Sequence, residues 1–237
     1  MTRPSRAIRW ARVLLVLTAL APLVVFVAVA GTKTGVWDWR VGYSLLTMRL
    51  GFALAALGAV AAVGGIIVAL GERKAWPLAL TGLVFGGATA AIFALHLSSH
   101  GLGVINGAPV AGIAEATTDR TGPPGFSGAL ADRRVAAGAT AMPPAVDACD
   151  AASIPTQVAP GAAAYALREA GFDVLGFGVG RADGTRSGFW FGFTHDAVIR
   201  IRPGRTDVRV AAREARPDGG ETCRLLQAIV AGLQPEA

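Results

Sequence analysis

Three long runs without charge in the first hundred residues constrain this chain more than anything else in it. Val13–Ala30 is 18 residues long, Leu50–Leu70 and Leu78–Leu97 are slightly longer, and His96 is the only ionisable group among them. An α-helix rises 1.5 Å per residue, so about 20 apolar residues cross the ~30 Å hydrocarbon core of a bilayer. Buried helices of soluble proteins can be equally apolar, but three such runs in one hundred residues are hard to house in a soluble domain. Composition agrees: 16% of the 237 residues are charged, where a soluble domain carries about 25%. Residues 1–97 are therefore predicted to form a transmembrane region, with spans at about 13–30, 50–70 and 78–97.

The first run has a second reading. Arg3, Arg6, Arg9 and Arg12 form a basic leader and Ala28-Val29-Ala30 fits a cleavage site, as in a signal peptide, although 18 residues is long for its apolar core. Either route sends Gly31 to the same side. Orientation follows from Lys and Arg near the span ends. The four N-terminal arginines, with Arg73 and Lys74 in the second turn, favour the cytoplasm, against a weaker signal from Lys33, Arg40 and Arg49. No Lys or Arg follows Leu97 until Arg120. The amino terminus is thus expected inside and everything after span three outside.

Charge divides unevenly. Residues 1–109 hold nine Lys or Arg against two acids, whereas residues 110–237 hold thirteen Arg against fourteen acids. The high isoelectric point therefore comes from the apolar half and reports topology. A nucleic-acid binder needs that charge on the folded surface facing phosphates, so nucleic acid is not an expected partner. Trp37, Trp39, Tyr43 and Trp76 read as interfacial anchors. Small residues four apart (Gly58 with Ala62, Ala61 with Gly65, Gly82 with Gly86) let helix backbones approach closely. They predict a packed hairpin of spans two and three, and the same pattern would serve a homo-oligomer.

Residues 98–159 are rich in Gly, Pro, Ala and Thr with little periodicity, which predicts an extended connection. Residues 160–237 are regular and read as a small exported α+β domain. A helix is expected over Pro160–Ala170, stopped by Gly171. Strands are expected over Phe172–Val179, Ser187–Thr194, Ala197–Arg202 and Thr206–Glu214, with turns at Asp183-Gly184 and Pro203-Gly204. A last helix spans about Glu221–Leu233, with Leu225, Leu226, Ile229 and Leu233 on one face. Strands joined by short turns make an antiparallel sheet that two helices can cover.

Several of these residues resemble the DUF1499 family: Phe189-Trp190-Phe191-Gly192-Phe193-Thr194, Asp196, then Val198-Ile199-Arg200-Ile201-Arg202-Pro203, and Asp218-x-Gly220 followed by Arg224. Upstream, Pro109, Ile113, Thr117, Thr118, Asp119 and Pro123-Pro124-x-Phe126 resemble a degraded form of its proline-threonine-aspartate segment. The resemblance covers about 109–233 and implies the fold, with three preceding spans a common arrangement. Many members have asparagine at the position of Thr222 and an acid at that of His195. The family is itself one of unknown function, so it implies no activity.

Candidate sites follow from residue types. Cys149 and Cys223 are the only cysteines, and an oxidising compartment favours a disulfide between them, the alternative being two small buried residues. His96 and His100 share a helix face but have no third ligand at recognisable spacing, so no metal and no cofactor is assigned. His195 and Asp196 are adjacent, and strand neighbours point to opposite faces, which argues against a catalytic pair. Alternation would put Phe189, Phe191 and Phe193 on one side and Trp190 with Gly192 on the other, shaping a shallow apolar cleft or simply a packed core. Arg200, Arg202 and Arg209, with Arg205 and Arg213, would share the outer sheet face, as a patch for an anionic lipid headgroup or a plainly solvated surface diluted by Asp207 and Glu214. No phosphate-binding loop, dinucleotide fingerprint, zinc spacing or nucleophile elbow is present.

The expectation is an integral protein of a bacterial inner membrane, whose exported domain is a non-enzymatic binding or adaptor module at the cell envelope. Its partners would be membrane lipid or an envelope protein. An enzyme acting on lipid or envelope material through polar residues near Trp190, His195 and Asp196 is one alternative, and a structural membrane subunit is another.

Overall fold

The computed structural model describes residues 5–100, 112–146 and 149–234, so that Arg3 and Pro109 lie outside the described residues. The chain divides into two compact units, residues 1–108 and 109–237.

The first unit holds three helices long and apolar enough to cross a membrane. Helix α1 (Arg6–Lys33) opens at Ser5, whose Oγ accepts from the Ile8 amide at 3.3 Å. A π-helical stretch, Arg40–Gly51, runs straight into α2 (Phe52–Gly71). A single 3₁₀ turn, Arg73–Ala75, then leads into α3 (Trp76–His100). All three predicted spans are present, extended at both ends.

Packing in this unit is inverted relative to a soluble core. Most of the buried residues are small: Ala11, Thr18, Ala21 and Ala28 on α1, Gly58, Ala61, Ala62 and Gly65 on α2, Ala79, Gly82 and Gly86 on α3, with Tyr43, Met48 and Phe93 the larger ones. Large apolar side chains point away, with Phe26, Val60, Leu70 and Leu95 all at least 70% exposed. In lipid that arrangement is stable, because close backbone contact replaces the hydrophobic force between helices. The small-residue pattern is used inside the unit: a Cβ on Gly86 would lie 3.1 Å from the Gly58 carbonyl oxygen and 3.2 Å from the Ala62 Cβ.

Two of the expected anchors make contacts within the unit. Trp37 folds back onto Gly31, and its Nε1 donates to the Ala28 carbonyl at 3.2 Å. Tyr43 is buried, and its hydroxyl lies 2.9 Å from His96 Nε2, tying the π-helical stretch to α3. The α3 helix continues to His100, whose ring stacks on that of His96 with centroids 4.2 Å apart.

The second unit is a six-stranded sheet with strand order β2-β1-β6-β5-β4-β3. Its strands are β1 (Ile113–Thr117), β2 (Pro144–Val146), β3 (Asp173–Gly178), β4 (Arg181–Ser187), β5 (Thr194–Arg202) and β6 (Arg205–Ala212). Strands β3 to β6 form an antiparallel meander, and β1 pairs antiparallel with β6. Strand β2 runs parallel to β1, so the sheet is mixed. Helices α5 (Pro160–Glu169) and α6 (Glu221–Leu233) pack together on one face. They bury Leu167, Leu226 and Ile229 against Ala182, Ala197, Ile199, Val208 and Val210. A disulfide joins Cys149 to Cys223 in the first turn of α6.

Three expectations need correction. Residues 98–159 are not an extended connection throughout: they contain β1, β2 and helix α4 (Gly128–Ala136), and the second unit begins at 109 rather than 160. No alternation marks strand β1 in the sequence, because all five of its residues are buried. Asp183-Gly184 lies inside β4 and is not a turn. A Cβ on Gly184 would sit 3.1 Å from that of Phe172, so this glycine lets Phe172 press on the strand. Finally, Ser187–Thr194 is not a strand. Strand β4 ends at Ser187, and residues 188–193 form the loop to β5.

Replacing Gly86 with Leu is expected to cost on the order of 1–3 kcal/mol and to lower the thermal midpoint of the full chain in detergent, followed by circular dichroism. Gly87→Leu is the control, since a Cβ there meets nothing within 4 Å and should leave the midpoint unchanged.

Candidate functional site

Alternation along β5 sorts its residues by chemistry. Ala197, Ile199 and Ile201 enter the core beneath α5 and α6, so Asp196, Arg200 and Arg202 project from the other face. That face carries a lattice of ion pairs organised by buried carboxylates. Asp196 is fully buried and is gripped by Arg213, through Nε at 2.8 Å and Nη2 at 2.6 Å, and by Arg134 Nη1 at 3.1 Å. Thr185 Oγ1 donates to it as well, at 3.1 Å. Arg134 comes from α4, and its Nη1 also donates to the Ala211 and Ala212 carbonyls.

A second cluster forms around Asp207, also fully buried, which accepts from Arg200, Arg202, Arg205 and Ser153. The same three arginines contact Asp119. Arg209 pairs with the buried Glu115 at 2.6 Å. The Phe126 ring lies against two guanidiniums, those of Arg134 at 4.4 Å and Arg209 at 4.5 Å from its centroid. The arginines expected to offer an open anionic site are thus already in contact with carboxylates, three of them shared between Asp119 and Asp207.

These contacts set the protonation of the acids. Burial pushes the Asp207 carboxyl up, but hydrogen bonds from Ser153, Arg205, Arg200 and Arg202 outweigh it and hold the pKa at about 2. Asp119 is held below the usual carboxylate range by Thr121 and Gly122, which donate to it, and by Arg205. Burial lowers the Arg134 guanidinium, with Asp196 opposing.

His195 lies on the opposite, helix-covered face, so His195 and Asp196 do not meet and form no catalytic pair. The His195 ring is buried, with Nε2 3.3 Å from Asp218 Oδ1 and 3.9 Å from Glu221 Oε2. Asp218 Oδ2 accepts from the Thr222 amide at 2.7 Å, which caps the first turn of α6. Burial would raise the Asp218 pKa, but its bonds from His195 and Thr222 bring it to about 2. Among the described residues His195, Asp218 and Glu221 are the one group whose side chains could ligate a metal together, within 4.8 Å of one another. Arg216 Nη2, 3.1 Å from Glu221, already supplies a cation there.

One exposed feature of this domain is the loop between β4 and β5. The Gly188 amide donates to the Phe193 carbonyl at 2.7 Å and closes it, while Gly192 takes a positive φ of 70°. Phe189 and Trp190 stand 75% and 65% exposed, with rings edge-to-face at 5.2 Å. Phe191 stacks on Phe193 at 5.7 Å, and Arg216 lies 4.1 Å over the Phe193 ring. The expected cleft does not form: a side chain on Gly192 would meet open space. Aromatic residues favour strands where they fit a pleated, half-buried surface, and here Phe189 and Trp190 are largely exposed.

Sequence pattern does not mark Arg134, Glu115 and Phe126 for this lattice, although Phe126 and Asp119 lie within the family-like segment. An acid inside the otherwise apolar Ile113–Ala116 run was the available signal for Glu115. No family model, curated protein or solved structure matches the chain.

Stability of the second unit should decline as pH falls from about 4 to about 2. Asp207 and Asp218 titrate near 2 when folded and near 3.9 unfolded, so each contributes stability above that window and loses it within it, on the order of 2 kcal/mol. Glu214, raised by burial, acts in the opposite sense. Hydrogen exchange of the full chain across this range should show the loss, and Asp207→Asn should destabilise at neutral pH by about 3 kcal/mol while flattening the acid dependence.

Proposed function

We propose that this protein is an integral protein of the bacterial inner membrane that carries its α+β domain on the outer side as a non-enzymatic binding or adaptor module of the cell envelope. The distribution of Lys and Arg supports the orientation, with Arg6, Arg9, Arg12, Arg73 and Lys74 at the ends assigned to the cytoplasm. The Cys149–Cys223 disulfide supports an oxidising compartment. The binding role is carried by one observation: a glycine-closed loop that presents Phe189 and Trp190 to solvent from a domain whose buried charges are committed to one another.

Such a domain has a rigid frame and an exposed aromatic loop, which is a binding surface rather than a reaction chamber. Exposed aromatics on an otherwise well-packed domain mark contact sites, because their burial on a partner recovers the hydrophobic free energy left unused in the fold.

A reporter that is active only outside the cytoplasm, fused to the carboxyl terminus, is expected to be active in intact cells. The two cysteines should resist alkylation until a reductant is added. Cytosolic reporter activity, or two freely alkylated thiols in the native protein, would overturn the reading.

A further inference from the structure

We propose that the Phe189–Phe193 loop docks into the headgroup region of the same bilayer that α1, α2 and α3 cross, so that the domain is fastened to the membrane at a second point. This inference rests on the membrane-anchored reading above and names the partner of its exposed loop.

Reach comes first. Eleven residues join His100 to Gly112, and at ~3.5 Å each they extend at most about 40 Å. A domain of this length has a radius of gyration of about 14 Å. The tether therefore keeps the domain beside a lipid surface at high effective concentration, where even a weak apolar contact is populated.

Chemistry comes second. The segment Ser187–Phe193 contains no charged residue, so inserting it desolvates no ion. Trp and Phe suit the interface, where an apolar ring can be buried while the indole N–H stays hydrated. The loop presents Phe189 and Trp190 side by side at its tip, 75% and 65% exposed. Closure by the Gly188–Phe193 hydrogen bond holds the tip in shape before contact, which lowers the ordering cost of docking. Its base is anchored too: Glu214 accepts from the Thr194 amide at 2.9 Å, and Arg216 covers Phe193.

Nitroxide labels read the depth directly. Both native cysteines are disulfide-bonded, so a single introduced cysteine takes the label. Trp190→Cys, Gln157→Cys and Leu95→Cys would each be placed in the full chain, reconstituted into lipid nanodiscs of mixed zwitterionic and anionic phospholipid. Gln157 is exposed and adjoins Thr156 and Val158, which bond to Thr206 at the far end of the β5–β6 hairpin. Leu95 is 71% exposed on α3.

The expected result is a label at position 190 several-fold more accessible to oxygen than to a water-soluble nickel chelate, at headgroup depth, while position 157 reads aqueous and position 95 reads hydrocarbon. An aqueous reading at 190 with hydrocarbon at 95 overturns the docking and leaves the spans intact. Protection from both reagents at 190 also overturns it, in favour of a protein contact. An aqueous reading at 95 sinks the membrane-anchored reading itself, and the docking with it.

Discussion

A carboxylate removed from water must meet cations, and the second unit is organised around two that do. Asp196 and Asp207 lie fully buried on the sheet face away from α5 and α6. The guanidiniums that neutralise them arrive from β5 and β6, from the segment after β6 and from α4. Removing one partner from such a lattice costs more than its formation contributes, because an uncompensated charge is left behind. The lattice therefore works as a specificity device as much as a source of stability. It fixes where the chain between β1 and β2 lies, since Asp119, Phe126 and Arg134 each have a defined site on the charged face.

The membrane unit follows the opposite rule. Glycine, alanine and threonine make up most of its interior, beside Tyr43, Met48 and Phe93, and many large apolar side chains face outward. One polar contact between helices is prominent, that of Tyr43 with His96. In water this surface would aggregate, whereas in lipid it is the ordinary solvent-facing surface. The two units thus show the same chain solving two solvent problems, with the buried ion pairs of Asp196 and Asp207 lying in the second unit.

Much of this was legible in sequence. The three spans follow from length and absence of charge, which need no knowledge of neighbours. The last helix was readable over its full extent because Leu225, Leu226, Ile229 and Leu233 recur at the helical period. Strands β5 and β6 alternate, with Pro203-Gly204 between them, and the hairpin forms there. The failures concern strands. Strand β1 carries no alternation because both its faces are covered. Gly184 looked like a turn, but a packed strand used its missing side chain. The Phe-Trp-Phe-Gly-Phe run looked like a strand, but Gly192 takes a positive φ and the run forms a loop.

What the sequence alone determined are properties set by one segment and its solvent: three helices suited to a bilayer, the sign of charge at their ends, and the amphipathic periods of α6, β5 and β6. What only the tertiary structure decided are properties that depend on which segments meet. Arg200 and Arg209 are paired because Asp119 and Glu115, more than eighty residues earlier, fold against them. His195 and Asp196, adjacent in the chain, are parted to opposite faces of one sheet. Electrostatic and packing energies depend on distance in space, and a linear order of residues does not contain that distance until the fold supplies it.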